Sequence, residues 1–158
     1  MLDVNYPLGL LTEKYISNTT DAILMDVKNN FIDMLSEESI KGGKNYLSLC
    51  IAQQLTKNFL NLEKKILVDT HANNEKIRII AKEADLSFNL VIDGINFRLI
   101  GKVDRVDLKG DELRIIDYKT GYVDQSELLF TDFDELIDNP SKSKAFQLLM
   151  YAYLYLKN

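Results

Sequence analysis

Apolar residues at Ile23, Leu24, Val27, Phe31 and Leu35 recur at helical spacing and predict a helix over about residues 18–35. Thr19 or Thr20, with Asp21, supplies its N-terminal cap. Gly42 and Gly43 break the chain. A second, longer helix is predicted over about 45–66, and its stripe of Leu47, Ile51, Leu55, Phe59, Leu62 and Ile66 is expected to be core. After the polar link "DTHANNEK" the pattern changes to short runs rich in Val, Ile and Phe, punctuated by "DG" at 93–94 and "KGD" at 109–111. These are hairpin signals and predict three strands, about 84–92, 95–108 and 112–119, in an antiparallel meander. A loop with one helical turn then leads to Pro140, and a last helix covers about 143–156, "SKAFQLLMYAYLYL". The result is a mixed α/β (α+β) architecture: a helical part over residues 1–82 and a sheet-bearing core over 83–158.

Composition narrows the picture a little. With 158 residues, 46% hydrophobic and 27% charged, the chain has the balance of a globular domain able to bury a core. No apolar run approaches the roughly 18 residues that cross a bilayer. The start, "MLDVNYPLGLLTEKY", has no basic segment followed by an apolar one, so no secretory signal is read there and a cytoplasmic location is expected. Cys50 is the only cysteine, which excludes an internal disulfide or a thiolate cluster from this chain alone. Its apolar setting predicts a buried, inert thiol. The net charge of −5 argues weakly against nucleic acid, but residues 124–138 hold six acids and no Lys or Arg and account for the whole excess.

The chemistry lies in "GKVDRVDLKGDELRIIDYKTG", residues 101–121. If Gly110–Asp111 is a two-residue turn, Asp104 faces Asp117, Val106 faces Ile115 and Leu108 faces Leu113 on one side of the sheet. Lys119 points to that same side, since side chains alternate along a strand. On the opposite face Asp107 lies across from Arg114, an ion pair that supports the register. Two opposed carboxylates with Cβ atoms about 5 Å apart repel unless something lies between them. A divalent metal fits: Mg²⁺ takes one or two carboxylates and leaves positions for water and phosphate oxygens. A neighbouring lysine stabilises phosphate charge or orients the attacking water, which suits phosphodiester hydrolysis. The competing reading is a solvated sheet edge on which Asp and Lys merely pair.

"GKVDRVD", "RIIDYKTG" and "FQLLMYAY", in that order, resemble the consecutive motifs of RecB-type nucleases in the PD-(D/E)XK superfamily, with AddB-like helicase–nuclease proteins as the nearest likeness. The resemblance covers roughly residues 83–155. It implies a restriction-endonuclease-like core with a small mixed sheet flanked by helices. It also implies Mg²⁺- or Mn²⁺-dependent cleavage of DNA, more exonuclease than endonuclease, in double-strand-break repair or recombination. By the same resemblance Asp104 and Asp117 hold the metal, the backbone carbonyl of Tyr118 adds a ligand, and Lys119 is the catalytic lysine. Gln147 and Tyr151 match a Gln-x-x-x-Tyr motif and would contact DNA or the attacking water; the plainer alternative is that they pack and cap a polar edge. Glu83 falls where the family often places an acid ahead of the first strand, as a third metal ligand or a plain surface residue. Near Gly101, a bulge is expected, because the apolar phase changes from Phe97 and Leu99 to Val106 and Leu108.

The match also has gaps. The family's metal-binding histidine stands in a Gly-x-x-x-His setting on an upstream helix, whereas His71, the only histidine, lacks that setting. The sequence ends soon after the Gln-Tyr helix. Both features lead to the expectation of a fragment of a longer protein, whose activity alone the sequence leaves open, with a helicase region in the same chain or a partner subunit. No iron–sulfur cluster is expected, and no Walker A motif is present. The rival from another class is a catalytically inactive nuclease-like module for DNA binding or assembly.

Overall fold

A computed structural model of the chain describes residues 9–157. The reading of the N-terminal stretch as no secretory signal falls largely on residues 1–8, outside the described residues. The elements run β1 (Gly9–Leu10), α1 (Glu13–Leu35), α2 (Gly43–Ala72), β2 (Ile77–Ile92), β3 (Ile95–Lys109), β4 (Glu112–Ile116), α3 (Phe133–Asp138) and α4 (Ser143–Lys157), with single 3₁₀ turns at Glu38–Ile40, Gln125–Glu127 and Pro140–Lys142. They form a three-stranded antiparallel meander with helices, extended by the short β1 on the β2 edge. Two compact units divide the chain, residues 1–78 and 79–158.

In the first unit α1 and α2 are joined through a 3₁₀ turn and share a core of Val27, Ile40 and Leu49, with Phe31, Ile32 and Ala52 packed on it. Helix α1 ends at Leu35 as the pattern predicts, but both helices start earlier and α2 runs further. α1 begins at Glu13, and Thr12 is its cap, its hydroxyl accepting from the Tyr15 amide at 3.2 Å. Thr19 and Thr20 are mid-helix, their hydroxyls donating to the carbonyls of Tyr15 and Ile16. α2 continues to Ala72, so His71 belongs to its last turn and not to a polar link.

The expected core stripe of α2 is also corrected. Leu47, Ile51, Leu55 and Leu62 are about half exposed, while Leu49, Leu60, Glu63, Leu67 and Thr70 are buried. At 3.6 residues per turn the buried set lies roughly a third of a turn from the stripe. A helix with apolar residues on more than one face leaves the choice to its surroundings. Cys50 is free and only half-buried, short of the buried state expected.

The second unit contains most of the meander. Asp93 and Gly94 both take positive φ, 50° and 78°, as a two-residue turn between β2 and β3 requires. The next turn is Gly110–Asp111, and the register is the expected one: Val106 with Ile115, Asp107 with Arg114, Leu108 with Leu113. Helix α4 packs on β3 and β4 through a cluster of Leu86, Val103, Val106 and Leu154, joined by Leu99, Ile115, Tyr151 and Tyr155.

The phase changes fall in other places than near Gly101. On β3 the cluster takes Leu99 and Val103, then Val106, so the alternation slips beyond Val103. On β2 it takes Ala81, then Ala84, and between them Glu83 sits at φ 49°. One extra residue with left-handed backbone is the mark of a bulge. Glu83 therefore lies inside β2, not ahead of the first strand.

Candidate metal-dependent nuclease site

The site grows from the point where the β3–β4 ladder stops. Its last pair is Arg105 with Ile116, so Asp104 and Asp117 lie one step further on, and residues 117–119 have left the strand. Alternation persists beyond the ladder. Lys119 turns to α4, where its ammonium donates to Gln147 Oε1 at 3.0 Å. It also pairs with Asp117 Oδ2 at 2.5 Å. Gln147 Nε2 in turn donates to the Tyr151 hydroxyl at 2.8 Å, an i, i+4 contact on one helix face. Asp104 accepts the Tyr118 amide at 2.6 Å through Oδ2.

Asp104, Asp117, Lys119, Gln147 and Tyr151 thus come together. The Asp117 carboxylate, bonded to Lys119, holds its ammonium above the ordinary lysine pKa, and Tyr151 and Asp104 add to the effect against a desolvation that opposes it. Lys119 is therefore a cation at neutral pH.

The approach of α4 depends on Gly101. A Cβ there would stand 3.0 Å from Leu154 Cδ1 and 3.0 Å from Tyr151 Cε1. The glycine lets the helix come close enough for Tyr151 and Gln147 to reach the strand ends.

The other face of the hairpin carries charge as well. Asp107 is fully buried and accepts two bonds from Arg114, at 2.7 and 3.0 Å, with Arg105 at 2.5 Å on its second oxygen. Arg105 Nη1 donates to the Tyr118 hydroxyl at 3.1 Å. The sequence reading found the Asp107–Arg114 pair but missed this tie to Tyr118. The alternation of Asp117, Tyr118 and Lys119 was the signal, since it sends the tyrosine to the face of Arg105 and Asp107.

Two predicted candidates have other surroundings. Glu83 pairs with Lys102 at 2.7 Å on the exposed part of the sheet. That pairing raises the Lys102 pKa, with burial opposing it and Asp85 and Asp104 assisting more weakly. His71 stands exposed on the last turn of α2, in the other compact unit.

A hard dication fits the donor set. Asp104 and Asp117 are both close enough to act on the single ammonium of Lys119, and both offer oxygen. Among the described residues no group of three or more His, Cys, Asp or Glu could hold a metal ion. Two carboxylates would be enough for such an ion, since Mg²⁺ sites usually take one or two and leave the remaining positions to backbone oxygen, water and phosphate.

Comparison with known families agrees with this geometry. The model of the PD-(D/E)XK nuclease superfamily matches residues 20–158, most of the sequence. The chain belongs to the PD-(D/E)XK nuclease superfamily. The helix-flanked antiparallel sheet is the restriction-endonuclease-like arrangement of that superfamily. Its members are generally nucleases that use divalent metals, generally Mg²⁺, and act on DNA. No curated protein and no solved structure gives a significant match to this PD-(D/E)XK chain.

Proposed function

We propose that residues 79–158 carry the reaction centre of a RecB-like, Mg²⁺- or Mn²⁺-dependent deoxyribonuclease. Its work is the trimming of DNA ends in double-strand-break repair or recombination, exonucleolytic in preference to endonucleolytic. The observation that carries this reading is the convergence on Lys119, whose ammonium meets Asp117 and Gln147 within 3.0 Å while Asp104 also acts on it. A solvated edge pair accounts for Asp117 and Lys119 but not for the Gln147–Tyr151 relay from α4.

Asp104 and Asp117 would hold the ion, with the Tyr118 carbonyl as a further oxygen. When bound, the ion supplies Lewis-acid stabilisation of phosphate charge and acidifies water. Lys119 stabilises negative charge as it develops on the phosphate. Gln147 orients that ammonium through its amide oxygen, and Tyr151 orients Gln147. Glu83 has a subordinate place: its carboxylate is engaged by Lys102, so it reaches an ion only after that pair opens. On this RecB-like reading, a helicase region in the same longer chain or in a partner subunit would work with this centre in the cytoplasm.

The decisive experiment is cleavage of linear DNA with Mg²⁺ or Mn²⁺ by the longest form of the protein, compared with Asp117→Ala and Lys119→Ala. Loss of cleavage in both variants, with unchanged circular dichroism, is the expected outcome. Full activity in either would sink the assignment. The second reading, an inactive nuclease-like module that binds DNA or assists assembly, is favoured by the absence of a third ligating side chain among the described residues. Metal-independent DNA binding without cleavage by the unaltered protein would establish it instead.

A further inference from the structure

We propose that Tyr118 is the positioning residue of this centre: its phenol, docked on the buried Arg105–Asp107–Arg114 cluster, and its amide, bonded to Asp104, together hold Asp117 and Lys119 in place. The inference rests on the metal-centre reading above for its functional consequence, though not for the geometry itself.

The need for such a device follows from the ladder. Pairing ends at Arg105 with Ile116, so residues 117–119, which carry the two groups the chemistry requires, lie beyond the ladder. Order beyond a ladder has to be supplied by tethers, because fixing each residue costs roughly 1–2 kcal/mol of conformational entropy. Tyr118 supplies two attachments on opposite sides of the chain. Its N–H donates to Asp104 Oδ2 at 2.6 Å, and its hydroxyl accepts from Arg105 Nη1 at 3.1 Å.

The anchor itself is rigid. Arg105 is 4% exposed and Asp107 is fully buried, and Asp107 is gripped by Arg114 as a bidentate fork and by Arg105. A buried ion cluster is a weak source of stability but a strong source of fixed geometry, because moving any member strands a charge. Through Tyr118 that rigidity passes across the strand to its other face. The Tyr118–Asp104 bond has a second effect: it occupies one oxygen of Asp104 and sets the direction of the other.

Tyr118→Phe tests this directly, because it removes only the hydroxyl of a half-exposed ring. Tyr122→Phe, altered at a ring that is 86% exposed, is the control. In the metal-free chain of 158 residues, exchange of the residue 118 amide should quicken about tenfold in Tyr118→Phe, the worth of one hydrogen bond to a charged group. It should not change in the control. Mn²⁺ affinity by calorimetry should fall about tenfold, in the range seen when a partner of a metal ligand is removed. In the cleavage assay on linear DNA, kcat should drop while KM for DNA stays.

An unchanged residue 118 amide in Tyr118→Phe would overturn the proposal. So would a loss of protection spread through β3 and β4 with a lowered melting temperature, because the phenol would then serve the fold alone. If the unaltered chain binds no Mn²⁺, the metal-centre reading fails by itself, and the amide exchange still decides whether Tyr118 positions its neighbours.

Discussion

Asp107 is the residue on which the hairpin's polar face depends. It has no exposure, and its two oxygens are shared between Arg114 and Arg105. Asp107→Asn removes the charge and leaves the guanidinium of Arg105 inside without its compensation. The expected loss is about 3–5 kcal/mol, read from the denaturation midpoint of the chain. Gly101 is the corresponding point on the apolar face. Gly101→Ala brings a methyl to 3.0 Å from Leu154 and Tyr151, and overpacking of that kind costs about 1–3 kcal/mol. Because Tyr151 must shift to relieve it, cleavage should fall more than stability does, a comparison of kcat with melting temperature across the same variant. Asp107 and its partner Arg114 were legible from alternation alone. The contact between Gly101 and α4 was not, because it joins positions about fifty residues apart and no local pattern carries it.

At the scale of elements, the segment after β4 is ordered by charge. Lys142 donates to the carbonyls of Ser126 and Leu129 and pairs with Glu135 at 3.1 Å, and Lys144 pairs with Glu127. Asp124 caps the 3₁₀ turn Gln125–Glu127 and Asp132 caps α3. The Thr131 amide, then Lys142, holds the Glu135 carboxyl below its ordinary pKa, and Ser126 does the same for Asp124. Both groups bind protons more weakly folded than unfolded. Their contribution is therefore present above the ordinary carboxylate range and is lost as pH falls through the lowered folded values. Amide exchange across residues 124–142 should accelerate in that acid window, before β3 and β4 lose protection; Glu135→Gln should remove part of the dependence. The acidic loop is a braced one, and the two lysines that brace it lie beyond Pro140.

For the molecule as a whole, the chain divides into two compact units, residues 1–78 and 79–158. Strand β2 starts at Ile77, seven residues before the predicted strand, because the charged stretch "RIIAKEAD" hides a strand interrupted at Glu83. No helix among the described residues is long and apolar enough to cross a membrane. Binding of a metal to the folded state alone should raise stability by mass action, by about 2.7 kcal/mol at a hundredfold excess over Kd. Mn²⁺ should accordingly raise the melting temperature of the unaltered chain and leave that of Asp117→Ala where it was.

The sequence by itself determined the meander, the Gly110–Asp111 turn and its register, and the phase that puts Asp104, Asp117 and Lys119 on one side. These follow from rules of short range: turn residues, alternation and charge across a strand pair. The motifs also pointed to the superfamily that the family model confirms. Only the tertiary structure decided which face of α2 is covered, because a helix with apolar residues on several sides is oriented by its neighbours. It alone put the bulge at Glu83, brought Gln147 to Lys119, and tied Tyr118 to Arg105, since each depends on elements far apart in the chain meeting at a particular distance.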